Sequence, residues 1–361
     1  MSAVLEWLTA RQEEMVDALR RAVEIESPSD HAAALHRFAD WLVPRGRAVP
    51  GAEVEQLPDP AGPMVRIALP GSGRPVLLLA HFDTVWPLGT LERMPVRLED
   101  GRLYGPGAFD MKAGLVQGLY ALAALAACTR PAERPPVVLL CTSDEETGSD
   151  RSRARIEEEA RRSRAVLVLE PAMGPEGALK TWRKGVGGFT VEVRGRAAHA
   201  GGDHAAGRNA IVELARHILD LERLTDYERG TTVNVGVVSG GTRSNVVPER
   251  AVAEIDFRVM TVDEAERLER VIRGLAPHAE GFQVHVEGGL NRPPLEERMT
   301  RELFALAQEA ARGLGFEVAA GGTGGGSDGN FTAAIGVPTL DGLGAVGDGA
   351  HGPSAATERS T

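Results

Sequence analysis

The sequence predicts an α/β fold in which a main domain with a mostly parallel sheet carries an inserted, smaller α+β domain. Over residues 1–181, continuous apolar runs alternate with helix-like segments, a pattern typical of a mostly parallel sheet. Over residues 182–290, strand and helix patterns follow the order β-α-β-β-α-β, which is the ferredoxin-like arrangement. The chain then returns to the main domain over residues 291–361.

Three buried strands can be recognised in the main domain. Residues 75–80 (PVLLLA), 136–141 (PVVLLC) and 165–169 (AVLVL) are continuous apolar runs, as expected for strands that are buried on both faces. Residues 111–127 form a longer apolar segment of helical character. The first 25 residues show the spacing of an amphipathic helix, with charges throughout.

The inserted domain begins with a half-exposed strand over 189–193, where apolar and polar residues alternate. Its later elements follow from the same periodicities: helices over 209–224 and 263–275, and strands over 231–239, 251–260 and 281–287. A loop is predicted at 240–248. After the return to the main domain, residues 297–314 are predicted to be a helix.

Composition limits the partners and the location of the protein. With 51 acidic against 40 basic residues the net charge is −11, so nucleic acid, which needs a clustered basic face, is not expected as a partner. No apolar run reaches the ~20 residues of a membrane span, and the N-terminus lacks the pattern of a signal peptide. Cys128 and Cys141 have no metal-binding or redox spacing. The sequence therefore predicts a cytoplasmic protein without a membrane partner.

Polar residues stand directly after the three predicted strands. These residues are His81, Asp83, Glu145, Glu146 and Glu170. Asp110 precedes the long apolar helix, where the positive end of the helix dipole favours an anion. Ligands of open parallel sheets lie outside the carboxyl ends of the strands. A histidine with several carboxylates at that edge is the ligand set of a zinc site with a spare carboxylate for proton transfer.

Several longer motifs carry a resemblance to a known family. They are HFDTV, GPGAFDMKAG, TSDEETGS, LEPA, KGVGGFTVEVRGRAAHAG, SNVVPERAVAEIDFRV and GGGSDGNF. In this order and spacing they resemble the zinc peptidases and deacylases that include glutamate carboxypeptidases, aminoacylases and succinyl-diaminopimelate desuccinylase. Within that family the chain is most similar to the bacterial glutamate carboxypeptidases.

The resemblance implies a site with two zinc ions per subunit. Asp110 would bridge the two ions. His81 and Glu170 would complete one zinc, and Glu146 and His351 the other. Asp83 would hydrogen-bond the His81 imidazole and fix its tautomer. The alternative, for each residue taken singly, is a solvated turn residue.

The adjacent Glu145 and Glu146 need different roles. Neighbouring residues of an extended chain point in opposite directions, so one can face the metal ions and the other the substrate. The resemblance makes Glu146 the ligand and Glu145 the general base, which takes a proton from the attacking water and passes it to the leaving nitrogen.

The inserted domain contributes further residues by resemblance. It would act as a dimerisation (lid) domain of a homodimer, in which His199 reaches the partner's active site and stabilises the oxyanion. Arg258 and Arg292 match positions that bind the free carboxylate of the substrate, which suits a guanidinium fork. Asn245 would hydrogen-bond the substrate or the oxyanion. The alternatives are an exposed loop histidine for His199 and an ion pair within the domain for Arg258 and for Arg292.

These expectations combine into a di-zinc hydrolase that cleaves an amide bond. It would release a C-terminal amino acid, with glutamate as the first candidate, from a small-molecule or short peptide substrate with a free carboxylate. The alternatives are an N-acyl-amino-acid deacylase or a di/tripeptidase and, from another class, an inactive homologue that acts as a binding or oligomerisation module. Relatives usually continue beyond the equivalent of His351 with a strand and a long closing helix, whereas residues 352–361 are expected to form a polar tail. Apolar surface of the main domain is then expected to be exposed.

Overall fold

The structure is a computed structural model that describes residues 3–350, 352 and 356–358. The chain folds into two compact units. The first runs from the N-terminus to Trp182 and continues in Glu296–Thr323 and from Ser327 onward. The second comprises Arg183–Leu295 and Gly324–Gly326, whereas the sequence predicts 182–290 for it.

The helices and strands are numbered along the whole chain. The helices are α1 (Ala3–Thr9), α2 (Gln12–Val23), α3 (Ala32–Arg47), α4 (Thr90–Arg93), α5 (Ala113–Cys128), α6 (Arg153–Arg162), α7 (Ala210–Glu222), α8 (Val262–Arg273), α9 (Arg301–Leu314) and α10 (Gly329–Ala334). The first nine strands are β1 (Glu53–Leu57), β2 (Met64–Leu69), β3 (Val76–His81), β4 (Arg97–Glu99), β5 (Arg102–Tyr104), β6 (Val137–Thr142), β7 (Ala165–Val168), β8 (Leu179–Arg183) and β9 (Gly185–Arg194). The others are β10 (Ala198–His199), β11 (Thr232–Gly240), β12 (Val246–Val247), β13 (Arg250–Val259), β14 (Gln283–Arg292), β15 (Ala320–Thr323), β16 (Thr339–Leu340), β17 (Gly347–Asp348) and β18 (Ala356–Glu358).

Over the described residues, the main sheet of the first unit is mixed, with three of its five strand pairs parallel. Its strand order over the described residues is β1-β2-β6-β3-β7-β16. The three apolar runs of the sequence form β6, β3 and β7, which pair in parallel, and β16 joins β7 in parallel. At the other edge, β1 and β2 form antiparallel pairs that the apolar runs did not predict.

Both faces of this sheet are covered, which explains the continuous apolar runs. In β3, Leu78 and Ala80 pack into a cluster with buried residues of α2, α3 and α5. Leu77 and Leu79 point to the opposite face and pack in a second cluster with Ile156 of α6. Alternate side chains of one strand thus enter two cores, so the strand needs an apolar residue at nearly every position.

The helical segment Ala108–Cys128 is the described part of the chain whose length and composition resemble a membrane span. It has 21 residues, and 56% of its most apolar 18-residue stretch is buried within the protein. The expectation that no apolar run approaches this length therefore does not hold for this segment. A core helix passes the same test, and α5 packs its buried residues against the sheet.

The second unit has the predicted ferredoxin-like order. Its sheet is antiparallel throughout, with the strand order β11-β13-β9-β14. Helices α7 and α8 pack their buried residues, such as Leu214 and Leu268, into the same core as Phe189 and Ile255. The predicted loop at 240–248 contains β12, which pairs with β10.

Two features of the first unit concern its C-terminal part. Residues 352–361 were expected to be a polar tail, but β18 within them pairs with β5 and β17. An apolar cavity of about 620 Å³ is lined by α2, α5 and α9, among them Leu19, Val116 and Ala311. Leu314 and Phe316, at the end of α9 and just beyond it, are about half exposed.

Lys112 gives the first unit a predictable dependence of stability on pH. Its side chain is buried, and its Nζ donates to Ile25 O at 2.7 Å. Burial lowers the pKa of this ammonium group to about 7. The unfolded chain, with an ordinary lysine, binds one more proton than the native chain between pH ~7 and ~10.4. The free energy of unfolding should therefore rise with pH in this window, by up to about 1.4 kcal/mol per pH unit.

Denaturant unfolding at several pH values between 7 and 9 measures this slope. Lys112→Met should be less dependent on pH than the unaltered protein, because the titrating group is gone. Lys184→Met, which removes a half-buried lysine of the second unit, controls for the loss of one positive charge. An unchanged slope in Lys112→Met would show that other groups cause the pH dependence.

Candidate metal centre and neighbouring site residues

His81 is the centre of a buried polar group in the first unit. It is the last residue of β3 and is 2% exposed. Its Nε2 lies 3.3 Å from Asp110 Oδ1 and 3.2 Å from Glu170 Oε1. Among the described residues, no atom meets this Nε2 with the geometry of a hydrogen bond. Ligand atoms of His81, Asp110 and Glu170 all lie within 4.8 Å of one another, so that one cation can bind all three.

The charges around His81 favour a cation. Burial alone would lower the pKa of the imidazole, but contacts with Asp110, Asp83 and Glu170 outweigh burial and raise the pKa well above its usual value. A metal ion that takes the place of the proton on His81 would interact favourably with the same carboxylates. One imidazole nitrogen and several carboxylate oxygens are a donor set that zinc accepts. The residues present therefore fit a zinc ion.

Asp83 connects the end of β3 to the turn that carries the two glutamates. It is fully buried, and its Oδ1 and Oδ2 accept hydrogen bonds from the backbone N–H groups of Glu145 and Glu146, each at 3.2 Å. Ser29 Oγ donates to Asp83 Oδ2 at 2.7 Å. His81 Nδ1 lies 3.1 Å from Asp83 O and 3.4 Å from Asp83 Oδ1. Asp83 thus holds the imidazole and the glutamate turn at once.

Asp110 reaches the site from an irregular segment before α5. Gly107 has a φ of 71°, and a Cβ there would lie 2.6 Å from Thr84 Cγ2, so this position requires glycine. Asp110 itself is extended, with φ −113° and ψ 102°, and regular helix begins only at Ala113. The helix therefore begins later than the predicted start at residue 111. The side chain of Asp110 is 14% exposed.

The two glutamates lie in a short 3₁₀ turn, Glu145–Thr147, after β6. Successive side chains of such a turn differ by about 120°. The premise of an extended chain at this pair is therefore wrong, although the side chains still point in different directions. Glu145 Oε2 lies 4.0 Å from His81 Nε2, and this side chain is 11% exposed. Glu146 contacts the site through its backbone N–H, as described for Asp83.

Glu170 follows β7 and has a basic neighbour. Its side chain is 9% exposed, and its Oε2 lies 3.9 Å from Lys180 Nζ. Lys180 belongs to β8 and is itself buried. The lysine can orient the carboxylate so that Oε1 stays near His81.

His199 and Asn245 lie on paired segments of the second unit. β10 pairs with β12, and the Ala200 N–H donates to Asn245 O at 3.0 Å. His199 is exposed, and its Nδ1 accepts hydrogen bonds from the N–H groups of Gly201 and Gly202 at 3.1 and 2.9 Å. A ring whose Nδ1 is an acceptor carries its proton on Nε2 when neutral. His199 Nε2 is thus a hydrogen-bond donor.

Arg258 makes an ion pair within the second unit. Its Nε and Nη2 donate to Asp256 Oδ1 and Oδ2, both at 2.8 Å, and its Nη1 donates to Gly324 O at 3.3 Å. The side chain is 31% exposed. An ion pair of this kind is the alternative that the sequence leaves open for Arg258. The bidentate contact also holds the guanidinium in one orientation.

Two further arginines contact the same glycine segment, Gly324–Gly326. Arg183 Nη1 donates to Gly325 O at 3.3 Å and to Gly326 O at 3.0 Å. Arg292 ends β14 and is 6% exposed, and a Cβ at Gly326 would lie 2.8 Å from its Cδ. The glycines therefore permit the close approach of a buried guanidinium.

The predicted site residues fall into three groups. His81, Asp83, Asp110, Glu145, Glu146 and Glu170 come together in the first unit. His199, Asn245, Arg258 and Arg292 belong to the second unit. His351 lies outside the described residues. The individual roles of these residues stay predictions.

Sequence reasoning missed Ser29, Lys180 and Arg183. Ser29 follows α2 and reaches Asp83 across 54 positions of sequence. Lys180 and Arg183 stand in the half-apolar run of β8, where no spacing distinguishes them from ordinary strand residues. Such partners follow from the packing of distant segments, and no local pattern marks them.

Comparison with known proteins shows which family this chain resembles. The sequence profile of the peptidase family M20/M25/M40 matches residues 77–360. Carboxypeptidase G2 from Pseudomonas sp. (strain RS-16) is 30% identical over 290 residues, which cover 78% of this chain and 69% of that protein. A succinyl-diaminopimelate desuccinylase from Verminephrobacter eiseniae is 32% identical over 280 residues, 72% of this chain and 68% of that protein.

Among solved structures, aminopeptidase PepT from Bacillus cereus shares the fold. It superposes with a TM-score of 0.76 over 96% of this chain and 94% of its own, at 22% sequence identity. At this level of sequence identity, the similarity shows a shared fold alone.

Proposed function

Because the chain belongs to peptidase family M20/M25/M40, we propose that it is a metal-dependent hydrolase that cleaves an amide bond and releases a C-terminal amino acid, glutamate in the first place. The observation that carries the proposal is the buried group of His81, Asp110 and Glu170 with Glu145 beside it. The similarity to carboxypeptidase G2 supports the carboxypeptidase reaction over other amide hydrolyses.

We propose two zinc ions per subunit as the cofactor. Asp110 would bridge them, with His81 and Glu170 on one ion and Glu146 and His351 on the other. When bound, the ions polarise the scissile carbonyl and acidify the attacking water. The contacts of His81 with Asp110 and Glu170 support the first of these sites.

Glu145 is the proposed general base. Its carboxylate accepts a proton from the attacking water and delivers it to the leaving amide nitrogen, so that the amine departs neutral. Its backbone N–H is held by Asp83, which also contacts the ligand imidazole. Asp83 therefore positions base and ligand relative to each other.

Three arginines support a substrate with a free carboxylate. Arg183, Arg258 and Arg292 all approach the segment Gly324–Gly326 of the second unit. Arg258 and Arg292 are the proposed carboxylate ligands, and Asn245 a hydrogen-bond donor to substrate or oxyanion. The bidentate pairing of Arg258 with Asp256 means that the substrate has to compete with this carboxylate or share the guanidinium with it.

The protein should show this activity in a direct assay. Purified protein should hydrolyse N-acyl glutamates faster than the same acyl group on alanine, leucine or lysine, because the arginines favour an acidic product. A chelator should abolish hydrolysis and added zinc should restore it. Full activity in a metal-free preparation would contradict the proposal.

Two alternatives remain as distinct outcomes of the same assay. An N-acyl-amino-acid deacylase or di/tripeptidase, favoured by the similarity to the desuccinylase, would show a broad panel without preference for glutamate. An inactive homologue that serves as a binding or oligomerisation module would hydrolyse no member of the panel. A cytoplasmic location is the proposal that accompanies the function, since Cys128 and Cys141 are both free thiols.

We further propose a homodimer in which His199 completes the active site of the partner subunit. Its Nε2–H is the donor that an oxyanion requires. Mixing the inactive variants Glu145→Ala and His199→Ala should then regenerate activity, because one site of the mixed dimer holds both residues.

Subunit exchange has to be verified in this experiment, for example with two differently tagged chains. Equal mixing should recover up to about a quarter of the unaltered activity, since half of the dimers are mixed and each has one intact site. Absence of recovery despite exchange would place His199 in the site of its own chain or outside catalysis.

A further inference from the structure

Helix α7 turns two ionisable side chains into the interior of the second unit. Its buried residues are Ala210, Glu213, Leu214, His217 and Leu221. This spacing is that of a core-facing helical stripe. Glu213 and His217 are four residues apart on one face, and both side chains are 0% exposed. Such residues are seldom fully buried unless they are paired or bind a metal.

The buried ring of His217 indicates that this position binds a ligand. Among the described residues, neither Nδ1 nor Nε2 of its buried ring has a hydrogen-bond partner. Its Nε2 lies 3.7 Å from Glu213 Oε1, which is beyond hydrogen-bond distance. Buried polar side chains nearly always have a partner. A metal ion between these two atoms would provide one.

His278 approaches the same carboxylate from the loop between α8 and β14. Its Nδ1 lies 3.3 Å from Glu213 Oε1, and its Nε2 lies 2.7 Å from Asp220 Oδ2. Its ring centroid is 4.4 Å from that of His217. When His278 is neutral and donates its Nε2–H to Asp220, the lone pair of Nδ1 faces Glu213. A histidine that binds a metal through one nitrogen and a carboxylate through the other has this arrangement.

We propose that Glu213, His217 and His278 bind a divalent transition-metal ion, zinc in the first place, at a site separate from the candidate catalytic centre. Their ligand atoms lie within 4.8 Å of one another. Tetrahedral zinc ligands at ~2.0–2.2 Å from the ion are roughly 3.3–3.6 Å apart, close to the observed 3.3 and 3.7 Å. Two imidazoles and one carboxylate suit zinc better than calcium or magnesium, which are bound mainly by oxygen atoms.

Charged groups surround the proposed ligands. Burial, together with the nearby His278, lowers the pKa of His217. Burial would raise the pKa of Glu213, but the His278 N–H and Arg216 lower it below its usual value. Asp220 is the further charged group that faces His278, and its carboxylate accepts from Nε2.

The ion would act as a structural clamp. It would join α7 to the loop that follows α8, two segments that otherwise meet through Glu213 and Asp220. The side chain of His278 is 32% exposed, which leaves a fourth coordination position for water. The inference does not rest on the proposed hydrolase activity, because it concerns residues of the second unit alone.

Zinc counting on the full-length protein tests the proposal. The purified chain is saturated with zinc and desalted, and zinc per chain is measured by mass spectrometry together with the melting temperature before and after chelation. His278→Ala and His217→Phe should each contain one zinc fewer than the unaltered protein. His285→Ala, which removes an exposed histidine of β14 in the same unit, should keep the full count.

The partly exposed His278 makes the test decisive even if His217→Phe does not fold. His278→Ala should lose the zinc, keep its hydrolytic rate, and lose part of the stabilisation that zinc gives the unaltered chain. A full zinc count in His278→Ala would overturn the proposal. Loss of hydrolysis without loss of this zinc would concern the catalytic centre instead, so the two failures are distinguishable.

Discussion

Glu145→Gln should lower turnover by ~10²–10⁴, the usual contribution of a general base. The substitution keeps the size of the side chain but removes the group that accepts the proton. Because the Glu145 backbone N–H still donates to Asp83, the turn and the ligand His81 should stay in place. The zinc content should therefore equal that of the unaltered protein. Steady-state rates and zinc per chain measure both quantities on one sample.

Glu146→Gln is the matched control, since the two residues share one turn and their backbone N–H groups both donate to the carboxylate of Asp83. If Glu146 binds the second zinc, its variant should need more zinc in the buffer to reach full occupancy. Turnover at saturating zinc should fall less than in Glu145→Gln. Reversed phenotypes would show that the base and the ligand are exchanged.

Arg258→Ala should lose roughly 2–5 kcal/mol of transition-state stabilisation on a substrate with a free carboxylate, the range for truncating one partner of a buried charge pair. The reason is that a carboxylate withdrawn from water needs a cationic partner. The loss should be much smaller when the terminal carboxylate of the substrate is amidated. The ratio of kcat/KM for the two substrates measures the effect.

Arg250→Ala is the matched control on the same strand. Arg250 pairs with Glu192 at the surface of β13, and 61% of its side chain is exposed. Its loss should leave kcat/KM unchanged for both substrates. Asp256→Asn should weaken the ion pair that competes with the substrate for Arg258. This variant should therefore bind a carboxylate substrate at least as well as the unaltered protein. Equal losses on both substrates in Arg258→Ala would show a structural role and favour the broader deacylase.

Local sequence patterns predicted the central strands because burial on both faces leaves a strong mark. β3, β6 and β7 are apolar at nearly every position, and the residues that follow them stand at the predicted edge. The family and the enzyme class inferred from the motifs are confirmed by the comparisons. The α/β fold class with a mixed sheet is confirmed, whereas the role of the inserted domain as a dimerisation lid stays a prediction.

Strand β1 and the short β12 escaped prediction for a physical reason. β1 has no fully buried residue, and β12 has only two residues, so neither carries enough apolar periodicity to be recognised. A 3₁₀ turn of three residues has no periodic signature, so the sequence does not distinguish the turn at Glu145 from extended chain.

The sequence by itself determined which residue types stand at the ends of strands, and hence the chemistry that His81, Glu145 and Glu170 can perform. Burial imposes that pattern one segment at a time, so it can be read along the chain. Only the tertiary structure decided which distant groups meet, such as Ser29 with Asp83 or His278 with Glu213. These contacts arise from the packing of segments 54 and 65 positions apart, which leaves no trace in local spacing.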